Sequence, residues 1–164
     1  FRAMLDGIKV NLGVERDSWR KLKADKTIFT GKVSEYFNSA FGRLPYRSLK
    51  FQHFSAKSSE DFSWEKGAVI NECNQKPFNR TMDSSIYLNE QVEETILTRD
   101  FPEEHNEYNE AIYPKNFGRA QGIYAKYKTA VIADPNTIFL GRLATYKYLD
   151  MWMAVKQVLT KLRT

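Results

Sequence analysis

Residues 138–151 read IFLGRLATYKYLDM, and this stretch says more about the fold than any other part of the chain. Its first residues are apolar and of strand type, which predicts a buried strand over 137–140. Gly141 then permits a turn with close backbone approach, and the residues from Leu149 onward open a helix. The free N–H groups at a helix start attract an anion or a polarised carbonyl. The stretch also fits an ordinary strand, loop and helix in which Asp150 is only the N-cap.

A helix is predicted on each side of this strand. Residues 117–127 have apolar side chains at helical spacing, and Asn116 precedes them as a candidate N-cap. Residues 150–162 form an amphipathic pattern whose apolar side we expect to face inward. That side consists of Met151, Val155, Val158, Leu159 and Leu162.

The middle of the chain alternates between β-type runs and polar loops. Four strands are predicted there, at 46–51, 67–73, 85–88 and 95–101. No helical pattern separates them, which favours an antiparallel sheet. Nearer the start, the pattern indicates a helix that stops at Gly7, an alternating strand over 8–12 and a short strand over 27–30. The predicted fold class is α+β, with a mainly antiparallel sheet flanked by helices.

The composition narrows the class of protein. With 42% hydrophobic and 14% aromatic residues, the chain of 164 residues has the composition of a folded domain. The net charge is +5, yet lysine and arginine are little clustered, so we expect no nucleic-acid partner. No apolar run suits membrane insertion. With one cysteine, Cys73, and two histidines, no metal site is expected, and Cys73 is interpreted as a small buried apolar residue.

Residues 138–151 resemble the signature of UDP-galactopyranose mutases, F-(V/L)-G-R-L-(G/A)-T-Y-(R/K)-Y-L-D-M, in a nearly unbroken match. The resemblance implies that Arg142 contacts a flavin cofactor. It implies that Tyr148 contacts the diphosphate of the substrate. It also implies that the helix start faces the isoalloxazine ring through Leu149, Asp150 and Met151.

Further segments resemble the same family in the same order. Residues 42–51 read GRLPYRSLKF and resemble its G-R-L-x-Y-R-(S/T)-L-x-F, which implies that Arg47 lies near the active site. The runs AVIN and PFNR resemble its A-V-(M/I)-N and P-(Y/F)-T-R. Their last residues, Asn71 and Arg80, are thereby implied to touch the UDP moiety. A Tyr-Pro step supplies Tyr113, whose phenol is implied to reach the diphosphate.

Each of these residues, taken singly, also has an ordinary structural explanation. Arg47 suits a surface ion pair, Asn71 a turn at the end of a strand, and Tyr113 a partly buried core aromatic. Asp100 lies where the family usually has an acidic residue, but an aspartate at a strand edge is common. It is therefore not counted in the predicted site.

Two features depart from the family pattern. Where the family usually reads (S/T)-G-P-(I/L)-D, this chain has Lys32 and Ser34 in place of the proline and the aspartate. The glycine-rich dinucleotide fingerprint and the helical region that holds the uracil are also absent from the sequence. Because the chain opens without an initiator methionine inside a helix-like pattern, we expect a C-terminal fragment of a longer enzyme.

The resemblance implies three segments. Residues 1–45 are expected to hold the end of the FAD-domain elements and a connection, and residues 46–115 the antiparallel substrate-binding sheet. Residues 116–164 are expected to return to the FAD domain as a helix, a strand and a C-terminal helix. The last strand and helix would then belong to a flavin-binding, Rossmann-like domain.

The implied parent enzyme interconverts UDP-galactopyranose and UDP-galactofuranose, for the biosynthesis of galactofuranose in cell-surface polysaccharide. N5 of reduced FAD is its implied nucleophile, so no side chain is assigned a catalytic role. A cytoplasmic enzyme is expected, and a homodimer is one possible state of the parent. The fragment alone is expected to bind no FAD and to be inactive. Two alternatives stay open: another two-domain flavoprotein of amine-oxidase type, and a non-catalytic carbohydrate or protein-interaction module.

Overall fold

The computed structural model describes residues 2–14, 18–57, 67–73, 76–89 and 92–162. Short 3-10 helices lie at Ala3–Leu5 and Ser18–Lys21. The strands are β1 Thr27–Phe29, β2 Tyr46–Lys57, β3 Val69–Asn71, β4 Arg80–Asp83, β5 Glu94–Glu104, β6 Tyr113–Pro114 and β7 Thr137–Phe139. The helices are α1 Val33–Tyr36, α2 Ser84–Leu88, α3 Arg119–Ile132, α4 Gly141–Ala144 and α5 Met151–Leu162.

Five strands form one antiparallel sheet in the order β3-β4-β5-β2-β6. The longest ladder joins β2 to β5, from Arg47 opposite Glu104 to Lys57 opposite Glu94, without a break in register. The predicted antiparallel sheet is therefore confirmed. An unbroken register also fixes which side chains share a face, because side chains alternate along each strand.

Part of one face of this sheet is buried, and the other face is mostly open, with Asp100 as a buried residue on it. Tyr46 and Ser48 of β2 and Leu97 of β5 point to the buried face, with 2%, 1% and 1% of their surfaces exposed. The alternate positions, such as Arg47 and Phe51, point to the open face and are exposed. This half-buried arrangement is usual for antiparallel sheets.

The two remaining strands, β1 and β7, form a separate parallel pair. Phe29 and Phe139 are opposite each other and pack on Tyr36, with centroid distances of 5.0 and 4.8 Å from its ring. Ile28 points to the other face and is 51% exposed. Parallel sheets are normally covered on both faces, whereas this pair has one exposed face.

One hydrophobic core links the parallel pair to the antiparallel sheet. Its members are Val33, Leu44, Tyr46, Ala111, Ala120, Tyr127, Phe139, Ala144 and Tyr146. Tyr127 of α3 is fully buried, and its hydroxyl donates to the Gly42 carbonyl at 2.7 Å. This core draws residues from each of the three segments expected from the sequence, and their boundaries stay a prediction.

The strand predicted over 85–88 is wrong, because these residues form helix α2. Asp83 precedes the helix as its N-cap, and its carboxylate accepts from the Ser85 backbone N–H at 2.9 Å. Asn89 closes the helix in the left-handed conformation. The strand lies just before, at β4, where the sequence had indicated a loop. Local capping therefore decided the conformation of this apolar run.

Two predictions for helices and strands outside the sheet are also wrong. Residues 8–12 form no strand, and the first turn is only the 3-10 helix Ala3–Leu5. Asn116 does not cap α3, which begins after Gly118 without a side-chain cap. The Asn116 side chain instead donates to the Tyr146 carbonyl at 3.3 Å. That tertiary contact replaces the local cap.

The apolar side of α5 does not face inward. Met151, Val155 and Leu159 are 90%, 59% and 50% exposed. The amphipathic pattern gave the helix correctly, but no element among the described residues packs over its apolar side. Cys73 is likewise exposed rather than buried.

Candidate functional site

The polar residues at the β3 edge of the sheet lie in one row on its open face. Asn71 is opposite Arg80, Arg80 is opposite Asp100, and Asp100 is opposite Phe51. Directly opposite residues of an antiparallel pair place their side chains on the same face. The sequence had indicated Asn71 and Arg80 separately, and the register brings them together.

Arg80 is held in this row by a buried carboxylate. Its Nε atom lies 2.7 Å from Oδ2 of Asp100, and the two side chains are 38% and 2% exposed. A pairing through Nε leaves the terminal nitrogens of the guanidinium as further donors. Oδ1 of Asp100 has no hydrogen-bond partner among the described residues. Arg80 is therefore a fixed, half-exposed cation at the open face.

Arg47 lies on the same open face, nearer the β6 edge. It is four residues from Phe51 along β2, or about 13 Å at the rise of a β-strand. Its partner on β6 is Tyr113. The open face thus carries Asn71 and Arg80 on one side and Arg47 with Tyr113 on the other.

Tyr113 and Tyr148 form a pair that contacts Arg142. Their rings are nearly parallel, with an interplanar angle of 12° and centroids 5.8 Å apart. The guanidinium carbon of Arg142 lies 4.8 Å from each of the two centroids. We call these three residues the Tyr–Arg–Tyr cluster. It joins the loop before α5 to the β6 edge of the sheet.

The loop that carries Tyr148 is anchored by Tyr146. Tyr146 is fully buried and has a φ of 46°, a left-handed conformation that is rare for a bulky residue. Its hydroxyl lies 2.7 Å from the Pro45 carbonyl and 3.1 Å from the Lys115 carbonyl. Burial raises the pKa of Tyr146 to about 12, so its phenol stays protonated as a donor. The anchor links the segments that carry Arg47, Tyr113 and Tyr148.

The residues implied to face a flavin lie at the start of α5. The Leu149 carbonyl accepts from Arg142 at 2.7 Å. Asp150 and Met151 are exposed, and the first α5 backbone bond runs from Ala154 to the Asp150 carbonyl. The N–H groups of the first turn therefore have no partner within their own helix.

Lys32 and Ser34, the two residues that depart from the family pattern, lie just before α1 and within it. Lys32 lies 3.2 Å from Nε2 of His105 and 2.6 Å from Glu35. An ammonium only donates, so Nε2 accepts and Nδ1 carries the hydrogen, which it donates to Asn109 at 3.0 Å. Ser34 is buried in α1. Lys32 thus ties the turn after β1 to the end of β5.

Sequence reasoning missed two residues of this site. Asp100 was set aside because an aspartate on a strand is common, although its position opposite Arg80 decides the orientation of that arginine. Tyr146 was not singled out, because a left-handed backbone leaves no mark in the residue type. The acidic position shared with the family was the one signal for Asp100.

The described residues include no group of three histidine, cysteine or acidic side chains placed to bind a metal ion. Among the helices in the described ranges, none has the length and apolar character needed to cross a membrane.

Comparison with known proteins gives a consistent result. The family model for UDP-galactopyranose mutase matches residues 1–148. The dTDP-fucopyranose mutase of Escherichia coli is 27% identical over 155 residues. UDP-galactopyranose mutase of Mycoplasma pneumoniae is 29% identical over 139 residues, and a probable UDP-galactopyranose mutase of Klebsiella pneumoniae is 24% identical over 163.

These matches cover most of the chain but less than half of each relative. The three alignments include 93%, 82% and 97% of this chain. They include 40%, 34% and 41% of the three relatives. The chain therefore corresponds to about two fifths of the relatives' length.

Proposed function

Since the chain belongs to the UDP-galactopyranose mutase family, we propose that it forms part of a flavin-dependent isomerase, including its substrate-binding sheet. The proposed parent reaction interconverts UDP-galactopyranose and UDP-galactofuranose. The proposed division of labour follows the expected segments, with residues 46–115 as the substrate-binding sheet and residues 1–45 and 116–164 as parts of a flavin-binding domain.

The observation that carries this proposal is the shared open face. Arg47, Asn71 and Arg80 come from three different strands, yet their side chains lie on the same side of the sheet. Tyr113 joins them through β6. A diphosphate needs cations and hydrogen-bond donors together, and this face supplies both.

In this proposal the side chains bind and orient the substrate rather than react with it. Arg80 contributes a planar cation that is already fixed by Asp100, and it would hold the diphosphate through two parallel hydrogen bonds. Tyr113 and Tyr148 donate from their phenols to the same group. As the bond from sugar to diphosphate breaks, negative charge grows on the leaving oxygen, and these fixed donors stabilise it. Asn71 is assigned to the UDP moiety by the same reasoning.

The start of α5 fits one part of a flavin. Its unpaired N–H groups and the exposed Asp150 and Met151 would suit the polarised edge of an isoalloxazine ring. Arg142 is the implied neighbour of that ring. Bound FAD would supply the nucleophile, whereas the described residues include no glycine-rich turn for its pyrophosphate. Most of the cofactor contact would therefore come from the rest of the parent.

The relative from Escherichia coli favours a second candidate substrate. Its name assigns it dTDP-fucopyranose, and it matches 93% of this chain. The residues described above address the diphosphate, which UDP-sugars and dTDP-sugars share. A dTDP-deoxysugar mutase is therefore the second candidate, and it differs from the first in the base and the sugar.

The family match weighs against the two alternatives that the sequence left open. A substrate of an amine-oxidase-type enzyme lacks a diphosphate for Arg80, Tyr113 and Tyr148 to bind. A non-catalytic module would need no donors at the start of α5. The cytoplasmic location and the homodimer stay predictions.

The test is the activity of the full-length parent. Purified protein should show flavin absorbance and, after reduction, should convert UDP-galactofuranose to UDP-galactopyranose. A parallel assay uses the furanose form of dTDP-fucose, and the larger kcat/KM identifies the substrate. A flavin-free protein, or a reduced flavoprotein that turns over neither sugar nucleotide, would overturn the proposed function.

A further inference from the structure

The guanidinium of Arg142 contacts two aromatic rings and two backbone carbonyls. Its Nη2 donates to the Leu149 carbonyl at 2.7 Å, and its Nη1 donates to the Ile112 carbonyl at 3.4 Å. Ile112 directly precedes Tyr113, and Leu149 directly follows Tyr148. The guanidinium carbon is also equidistant from the two phenol rings. One side chain thus holds the backbone beside each tyrosine and contacts both rings.

Tyr148 particularly requires such a restraint. Its side chain is 61% exposed, and it stands on the loop between α4 and α5. An exposed tyrosine on a loop ordinarily samples several rotamers, and ordering it on binding costs conformational entropy. Contact with Arg142 and Tyr113 fixes the ring before a ligand arrives.

We propose that Arg142 is a positioning residue that sets the spacing of Tyr113 and Tyr148, so that their two phenols form a preformed clamp for a diphosphate. This inference rests on the proposed function, because the clamp is assigned to the nucleotide-sugar site. It differs from a flavin contact, because Arg142 acts here through the tyrosines.

The chemistry requires arginine at this position. A planar guanidinium has donors that diverge toward two carbonyls while its faces stay available for aromatic rings. A lysine ammonium would keep the positive charge, yet its compact head does not bridge the same two carbonyls and two rings. Positioning and simple charge attraction therefore give opposite expectations for Arg142→Lys.

The first measurement needs no ligand. In the full-length parent with labelled tyrosines, ring-to-ring nuclear Overhauser effects should connect Tyr113 and Tyr148, with Tyr113→Phe and Tyr148→Phe providing the assignments. Both Arg142→Gln and Arg142→Lys should abolish these effects while the circular dichroism spectrum is retained. Retention of the ring-to-ring effects in both variants would overturn the proposal, and Arg142→Lys covers the case in which Arg142→Gln does not fold.

The second measurement is a mutant cycle with UDP as the probe, read by calorimetry. Each hydrogen bond to a charged group is worth about 1.5–3 kcal/mol, so misplacing the phenols should weaken UDP binding at least about ten-fold. In the Tyr113→Phe/Tyr148→Phe background, Arg142→Gln should change the affinity by less than about two-fold, because nothing remains to be positioned. An equal loss in both backgrounds, or full recovery by Arg142→Lys, would mean that Arg142 acts by its own charge.

The two proposals fail in different ways. If the wild-type parent binds neither UDP nor dTDP, the proposed function fails, and the ring-to-ring effects still decide the role of Arg142. If UDP binds and the rings keep their contact without Arg142, only the positioning role fails.

Discussion

Arg80 is the residue on which the proposed anion site depends most. Replacement by alanine in the parent should lower kcat/KM by roughly ten- to a hundred-fold or more, because about 1.5–3 kcal/mol of charge-assisted bonding is lost. The same change should also lower the melting temperature, because it leaves the buried Asp100 carboxylate without its cationic partner. Arg80→Lys should recover only part of the loss, because it keeps the charge without the planar fork.

Steady-state kinetics with thermal unfolding would check this expectation. Arg119→Ala is a matched control, because Arg119 is exposed at the start of α3, away from the predicted site residues in the sequence. Tyr148→Phe should cost less than Arg80→Ala, since it removes one hydroxyl and keeps the ring. Wild-type kinetics for a folded, flavin-loaded Arg80→Ala protein would show that the anion site lies elsewhere.

Asp100 should act through Arg80. Asp100→Asn keeps the shape but removes the charge that orients the guanidinium, so KM for the nucleotide sugar should rise. The free energy of unfolding should also fall by about 1–3 kcal/mol. Arg80 loses its charged partner, and the buried amide is left with an unsatisfied hydrogen-bonding group. Comparing the single variants with Asp100→Asn/Arg80→Ala tests the link. Additive losses in kcat/KM would contradict it.

For single residues, the residue types were sufficient to identify the family, but they did not specify how the site residues are arranged. The glycine, arginine and tyrosine motif of residues 138–151 was sufficient for Arg142 and Tyr148 to be selected. The role of Asp100 depends on cross-strand register, which pairs β4 with β5 although α2 and further residues separate them in the sequence. Register is a tertiary property, and alternation along one strand does not specify it.

At the level of elements, α5 differs from its neighbours because its apolar side is uncovered. Burying a side chain of the size of Leu159 is worth about 1.5–3 kcal/mol. We therefore expect this side to self-associate when the chain is isolated and to be covered in the parent.

Leu159→Lys should separate these two situations. In the isolated chain it should reduce self-association at unchanged stability, whereas in the parent it should lower the melting temperature. Sedimentation and thermal unfolding are the measurements. Leu88→Lys is the matched control, because Leu88 of α2 is also exposed, at 66%. Equal effects of the two variants in the parent would mean that α5 remains open there.

A second element-level prediction concerns the turn after α3. The Tyr36 hydroxyl of α1 donates to Asp134 at 2.7 Å, and this bond holds the pKa of Asp134 below its usual value. The resulting stabilisation is present above the unfolded pKa of about 3.9 and is lost as the pH falls through the lower folded pKa.

Tyr36→Phe should therefore lower the free energy of unfolding by about 0.5–1.5 kcal/mol near neutral pH. The difference from the wild type should shrink in acid, as Asp134 becomes protonated in both proteins. Chemical denaturation at several pH values would measure this difference as a function of pH. Tyr108→Phe, at a residue that is 89% exposed, should leave the free energy of unfolding unchanged at every pH. A constant difference down to acid would exclude Asp134 as the cause.

Whether a segment forms a helix or a strand was largely predictable from its hydrophobic periodicity and composition. β2, β5, α3, β7 and α5 agree in type with the sequence patterns. The failures occurred where tertiary context or capping outweighed the pattern, as in α2 and in the uncovered side of α5. An amphipathic pattern predicts that a helix has an apolar side, but it does not identify the element that packs against that side.

At the level of the whole molecule, the chain corresponds to about two fifths of its relatives. We expect it to bind FAD weakly or not at all by itself, because the described residues include no cradle for the cofactor's pyrophosphate. Titration with free FAD, followed by flavin fluorescence, would measure this. The full-length parent is the positive control. A tight, stoichiometric complex of the isolated chain would contradict the proposed division of the cofactor site.

The long β2–β5 ladder has a consequence for how the chain reaches its structure. Its strands pair Lys57 with Glu94 and Arg47 with Glu104, so even the nearest partners are far apart in the sequence. Closing such loops costs entropy before the contacts repay it, and topologies of this kind fold in milliseconds to seconds rather than microseconds. The open face can therefore assemble only late in folding, because Arg47 and Arg80 reach the same side only after β5 has bridged β2 and β4.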